Sequence, residues 1–195
     1  MTRGTSKMTD RQGTLFQIQY GPEEKDERSA LIDPTGTYRY MLMRIVPPST
    51  RRILWVMLNP SKADAFVDDP TIRKIVGFST RAGFGEIVVV NLFAFRSKDP
   101  SDLKRAVEAG KDPVGNPECD IYISDQAAKA EMVVCAWGAH GSFMGRDVVV
   151  EELLRRWLPN TLHVLGFTTG GASKRPQPIH PLYQKNETPF VPWPR

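Results

Sequence analysis

Ile53-Leu54-Trp55-Val56-Met57-Leu58-Asn59-Pro60-Ser61-Lys62-Ala63-Asp64 changes character in a single step. The residues from Ile53 to Met57 read as a buried strand. The chain then becomes polar, small and turn-forming, and an acidic pair follows at Asp68 and Asp69. In an open α/β sheet, ligands bind at the carboxyl ends of the strands. An Asn, a Ser and a carboxylate delivered there read as a reaction site, not a linker.

Three more short apolar runs follow, at residues 87–93, 132–137 and 161–165. Helix-like stretches fall between them. Residues 70–82 place Ile72, Ile75, Val76 and Ser79 on one face, with Asp69 as N-cap, Pro70 at the first helical position and Gly83 as the stop. Residues 117–130 and 145–158 read the same way. Strands alternating with helices predict a three-layer α/β fold, with a central, mostly parallel four-stranded sheet flanked by helices. Right-handed crossovers would put the ends of all four strands on one edge. Ahead of this core, Asp33-Pro34-Thr35-Gly36 is a turn signal inside an alternating segment, Tyr38, Tyr40 and Leu42 against Arg39 and Met41, and it predicts an N-terminal β-hairpin. The expected organisation is a flexible segment over 1–28, one α/β domain over 29–185 and an extended tail over 186–195.

Bulk properties narrow the function classes. The chain has 195 residues, 25% of them charged, and a net charge of +4. This suits one soluble domain and is compatible with a nucleic acid or nucleotide partner. The two cysteines, Cys119 and Cys135, belong to no CxxC pair. A structural zinc site or an iron–sulfur cluster takes about four ligands, so neither metal nor cofactor is expected. Unpaired thiols suit a reducing cytoplasm. No apolar stretch approaches the roughly 20 residues of a membrane span, so no membrane partner is expected. Oligomeric state has no signature in the sequence.

Polar groups converge at the strand ends if the sheet is parallel. The first strand delivers Asn59, Pro60, Ser61 and Asp64. The second delivers Asn91, with Phe93, Phe95 and Arg96 beyond it. The third delivers Trp137, Gly138, Ala139, His140 and Gly141, and the fourth leads towards His180-Pro181-Leu182-Tyr183. The Asn91 carboxamide either matches the amide edge of a pyrimidine or caps its strand. Asp64 either orients water or stays a solvated loop carboxylate. Asp68 and Asp69 read as helix-capping residues. His180 offers an imidazole near its neutral point in a stiff loop. Gly138 and Gly141 either admit a phosphate to the backbone or turn the chain. Phe93 either stacks on a base or belongs to the core. No GxxxxGK[ST], GxGxxG or HExxH pattern occurs.

Two resemblances arise at these residues. Asn59-Pro60-Ser61-x-Ala63, Asp68-Asp69-Pro70-Thr71, Asn91-Leu92-Phe93-Ala94, Trp137-Gly138, Arg146 and His180-Pro181-Leu182-Tyr183 resemble the uncharacterised bacterial and phage family called domain of unknown function 1643, over roughly residues 29–185. More distantly, the order Asn59-Pro60, Asn91, Trp137-Gly138-Ala139, His180-Pro181 is similar to the uracil-DNA glycosylase superfamily. The chain lacks that superfamily's cluster cysteines and has Leu182 where its closing loop carries Ser. That resemblance implies a uracil-DNA-glycosylase-like fold and an N-glycosidase-like hydrolase acting on a base in DNA or a nucleotide. Asn59 or Asp64 would place the water, His180 would donate to the leaving base, and Asn91 would read it. Phe66 or Phe93 would sandwich the base, with Pro60, Ser61, Trp137 and Gly138 around it, and Lys174 and Arg175 would hold phosphates. The alternative is a non-catalytic nucleic-acid or nucleotide-binding module that kept the pocket without the chemistry.

Overall fold

The computed structural model describes residues 4–9, 15–20, 27–115, 117–158, 162–168 and 175–194. Its strands are β1 (Gly4–Thr9), β2 (Leu15–Tyr20), β3 (Arg28–Ile32), β4 (Arg39–Ile45), β5 (Arg52–Met57), β6 (Glu86–Asn91), β7 (Met132–Cys135), β8 (Leu162–Val164) and β9 (Val191–Pro192). Its helices are α1 (Pro70–Arg81), α2 (Ser101–Glu108), α3 (Glu118–Lys129) and α4 (Arg146–Trp157).

The strands form one sheet in the order β1-β2-β3-β4-β6-β5-β7-β8-β9. This overturns the expectation of a mostly parallel four-stranded sheet of uracil-DNA-glycosylase type. The four apolar runs do become β5 to β8, and β6-β5-β7-β8 pair in parallel. Among the described residues, however, those three parallel pairings are outnumbered by five antiparallel ones. The physical reason lies at the sheet edges. An open strand edge carries a row of unpaired amide and carbonyl groups that recruits another strand. Antiparallel to the outer edge of β6 lies β4, which brings the β3–β4 hairpin and then β2 and β1 into the same sheet. On the far side, β9 pairs antiparallel with β8. The hairpin is therefore part of the central sheet. Strands β1 and β2 lie within the segment expected to be flexible, and β9 lies in the tail.

Both faces of the parallel block are covered, which is why its strands read as continuous apolar runs. Ile53, Trp55 and Met57 pack with Ile72, Ile75 and Phe78 of α1 on one face. Leu54 and Val56 pack with Ile123 and Ala127 of α3 and with Val150 and Leu154 of α4 on the other. Helix α1 has the expected ends. The Asp69 side chain accepts the Ile72 amide, Pro70 starts the first turn, and Gly83 past the end has φ +81°. Ser79 lies on the buried face because its hydroxyl accepts from Trp55 Nε1 at 2.9 Å and donates to the Ile75 carbonyl at 2.8 Å. Cys119 and Cys135 are free and buried. Burial pushes the Cys119 thiol up to about 12 and raises that of Cys135 as well. Among the described residues, no helix is long and apolar enough to cross a membrane.

The crossovers create the cleft. From β5 the chain leaves towards α1 on one face, whereas β6 and β7 lead to α3 and α4 on the other. Loops leaving neighbouring parallel strands in opposite directions open a crevice at the carboxyl edge.

Candidate functional site

A cleft of about 560 Å³ occupies that crevice, within the range of about 300–1,000 Å³ typical of small-ligand pockets. Asn59 and Ser61 line it from the β5 loop, Asn91 from the end of β6, Trp137 and Gly138 from beyond β7, and His180 from the C-terminal loop. These are six of the residues singled out from the sequence. The cleft also holds residues assigned there to other roles or to none: Arg39, Asp69, Lys98 and Tyr183.

The parallel ladder continues past the ends of β5 and β6 and sets the floor. Leu92 and Phe93 donate their amides to the Met57 and Leu58 carbonyls at 2.9 and 3.0 Å. The two exit loops are stitched further on. The Ser97 amide donates to the Pro60 carbonyl at 2.8 Å, and Asn59 Nδ2 donates to the Ser97 carbonyl at 2.9 Å. This fixes the Asn59 carboxamide, and its Oδ1 has no partner among the described residues.

Asn91 is 3% exposed. Its Oδ1 accepts from Arg39 Nη2 at 3.3 Å. That bond sets the amide orientation and leaves Nδ2, with two hydrogens, as the group Asn91 offers to the cleft. Arg39 is 2% exposed. Its Nη1 donates to the Ala63 carbonyl at 2.7 Å, while its buried Nε has no partner. It forms no ion pair among the described residues. Burial first, and then the neighbouring Arg96, bring its pKa down to about 9, so it is cationic at neutral pH.

His180 is partly buried and opens the short 3-10 turn Pro181–Tyr183. Its Nδ1 accepts the Leu182 amide at 3.3 Å. The neutral ring therefore carries its proton on Nε2, as a donor. Burial lowers the His180 pKa, and the Asp69 carboxylate opposes that shift. The neutral imidazole thus dominates at pH 7. Gly138 has φ +77° and approaches so closely that a Cβ there would touch His180 Cβ at 3.4 Å. Its amide donates to the Pro178 carbonyl at 2.8 Å, which joins the β7 loop to the His180 loop. Gly141 is required beside the wall, since a Cβ would fall 2.1 Å from Trp137 Cδ1. The Trp137 indole donates to Gln177 Oε1 at 2.8 Å, and Gln177 donates in turn to Asp147 at 2.8 Å.

Five of the expected site residues do not line the cleft. Asp64 lies aside because its Oδ1 accepts the amides of Phe66 and Val67 at 2.8 and 3.0 Å, folding the loop upon itself. Pro60 is buried. Phe93 is fully buried in the core and packs against Phe143 at 5.7 Å between ring centroids. Phe66, the other ring considered, packs against Ala30, Ile32 and Ala65. Arg175 pairs with Glu151 and lies over the Trp193 ring. Lys174 falls outside the described residues. The carboxylate in the cleft is instead Asp69, which the sequence placed only at a helix start.

Arg146 supports the site from beneath. It is 5% exposed. Its Nε donates to the Leu92 carbonyl at 3.0 Å, and its Nη2 pairs with Asp120 at 2.6 Å. Cys119 Sγ adds a contact to the Asn91 carbonyl at 3.4 Å. The backbone that carries Asn91 is thus held by α3 and α4.

No curated protein matches the chain. Residues 39–182 match the model of a family described as a protein of unknown function, DUF1643. The matched span opens on Arg39, closes on Leu182, and contains every cleft residue named above except Tyr183. It leaves out β1, β2 and β3, which extend the sheet away from the cleft. On that match over most of its length, the chain belongs to the DUF1643 family.

Proposed function

We propose that the cleft binds a nucleobase and that the protein is an N-glycosidase-like hydrolase, cutting the bond between a base and its sugar in DNA or in a nucleotide. The observation that carries this reading is the meeting of Asn59, Asn91 and His180 in one cleft. Such cleavage develops positive charge on the sugar and negative charge on the departing base. It is accelerated by donors aimed at the base oxygens and by a positioned water. Asn91 Nδ2 donates to a ring carbonyl, and the Arg39 cation behind it polarises the amide. The His180 Nε2–H donates to a second base oxygen. Asn59 Oδ1 holds the water, with the Asp69 carboxylate as the nearby acceptor for its proton. The water oxygen bonds to the sugar carbon as the carbon–nitrogen bond breaks, and the base leaves with the bonding pair. A base inside a duplex must first be flipped out of the stack. The free buried thiols of Cys119 and Cys135 suit a reducing compartment such as the cytoplasm.

One observation favours a non-catalytic binding module instead. The Asp64 carboxylate is spent on its own loop, and Asp69 Oδ1 caps α1. Water placement then falls mainly to a carboxamide. Incubation with oligonucleotides bearing uracil or other altered bases, and with free nucleosides, separates the readings. Base release that is lost in Asn59→Ala and His180→Ala supports the hydrolase. Binding without release, lost in Asn91→Ala, supports the module. Neither binding nor release overturns both.

A further inference from the structure

We propose that Lys62 and Lys98, with Ser61 and Arg96 beside them, form a phosphate-binding subsite on the rim of the cleft. The inference takes the position of the base from the proposed function and the anion chemistry from the rim itself. Ser61, Ser97 and Lys98 are shared between the cleft and an adjoining depression that Lys62 and Arg96 also line. A ligand in the cleft can therefore extend into this depression without leaving the surface.

The depression is cationic. Lys62 and Lys98 line the same depression, and the neighbouring Lys62 ammonium lowers the Lys98 pKa. Each offers three donors and no acceptor, so neither satisfies the other. Arg96 in the depression donates Nη1 to the Gly36 carbonyl at 3.2 Å, and its buried Nε, like that of Arg39 in the adjoining cleft, has no partner among the described residues. Among the described residues none of these four cations forms an ion pair.

The nearby carboxylates are committed elsewhere. Asp64 accepts the Phe66 and Val67 amides, Asp99 accepts the Ser101 amide, Asp102 pairs with Arg105, and Asp68 pairs with Arg44. Asp69 belongs to the cleft proper. Two unpaired ammoniums beside a hydroxyl suit a group with several acceptor oxygens and a full negative charge, as a phosphate has. That phosphate is either the terminal group of a free nucleotide or an internal phosphodiester of a strand.

The test uses the full chain and four probes: inorganic phosphate, deoxyuridine, deoxyuridine 5′-monophosphate, and a short oligodeoxynucleotide with hydroxyl ends. Calorimetry measures each with the wild type and with Lys62→Gln/Lys98→Gln. Both lysines have solvent-exposed side chains, so the thermal midpoint is expected to hold and to report that the fold is intact. The double variant is expected to lose about tenfold to a hundredfold in affinity for the phosphate-bearing probes, and nothing for deoxyuridine. A loss confined to the monophosphate identifies a terminal phosphate. A loss for the oligonucleotide, with its salt slope reduced by about 1.4, identifies a phosphodiester. Unchanged affinity of the double variant for every phosphate-bearing probe overturns the subsite, even if deoxyuridine binds and the base reading stands. Lysine-dependent binding of inorganic phosphate without binding of any base overturns the base reading and leaves the subsite standing.

Discussion

Arg39 and Arg146 are both almost fully buried, and they lie on either side of the same strand end. Arg146 is saturated: its guanidinium meets the Asp120 carboxylate and the Leu92 carbonyl. Among the described residues Arg39 meets only the Ala63 carbonyl and one carboxamide oxygen, and its Nε is left unpaired. A buried charge is costly unless paired and hydrogen-bonded. The difference separates a buried cation with a carboxylate partner from one without. The region under the cleft is closed electrostatically, whereas the floor of the cleft is open.

The largest effect expected from this contrast is on stability. Arg146→Ala strands Asp120 and the Leu92 carbonyl and should cost about 3 kcal/mol, the low end for breaking a buried pair because Asp120 is partly exposed. Urea unfolding measures it. Arg39→Met, by contrast, removes an unpaired buried cation. Its stability should stay within about 1 kcal/mol of the wild type, while affinity for a nucleobase falls at least about tenfold. Equal destabilisation by both substitutions would erase the distinction.

The smallest effect concerns pH. The folded pKa of His180 is depressed below its ordinary value of 6.5. The unfolded chain therefore binds more protons below that value, and the His180 contribution to stability is present above pH 6.5 and lost as pH falls. His180→Gln should remove this part of the acid sensitivity, read from unfolding free energies between pH 5 and pH 7.5. On the proposed hydrolase reading, the acid limb of base release should lie below 6.5. Asp69→Asn still caps α1 but no longer raises the His180 pKa, so it should move the His180 titration, read by NMR of the imidazole, lower still.

Much of the cleft was legible because its polar residues interrupt apolar runs. Asn59 and Asn91 stand at the ends of strands that are otherwise hydrophobic, and such breaks are visible along the chain. Helix α1 was legible from Asp69, Pro70 and Gly83. Helix α2 was missed because it buries only Leu103 and Ala106, too few to show a period. The extent of the sheet was not legible, since which strand covers an open edge depends on partners far apart in sequence. Arg39 was hidden for the same reason. In the alternating pattern it reads as an outward-facing strand residue. Because β4 runs antiparallel to β6, its first residue arrives where the parallel strands end. A purely parallel sheet cannot deliver an early residue to that edge.

Ser97 stitches the β5 and β6 exit loops at the cleft rim, its amide on Pro60 and its carbonyl on Asn59. The two walls cannot part at that point without exposing this amide to solvent. The deuterium exchange rate of the Ser97 N–H therefore serves as a built-in clock for cleft opening, and its slowing on ligand addition would report closure without any label.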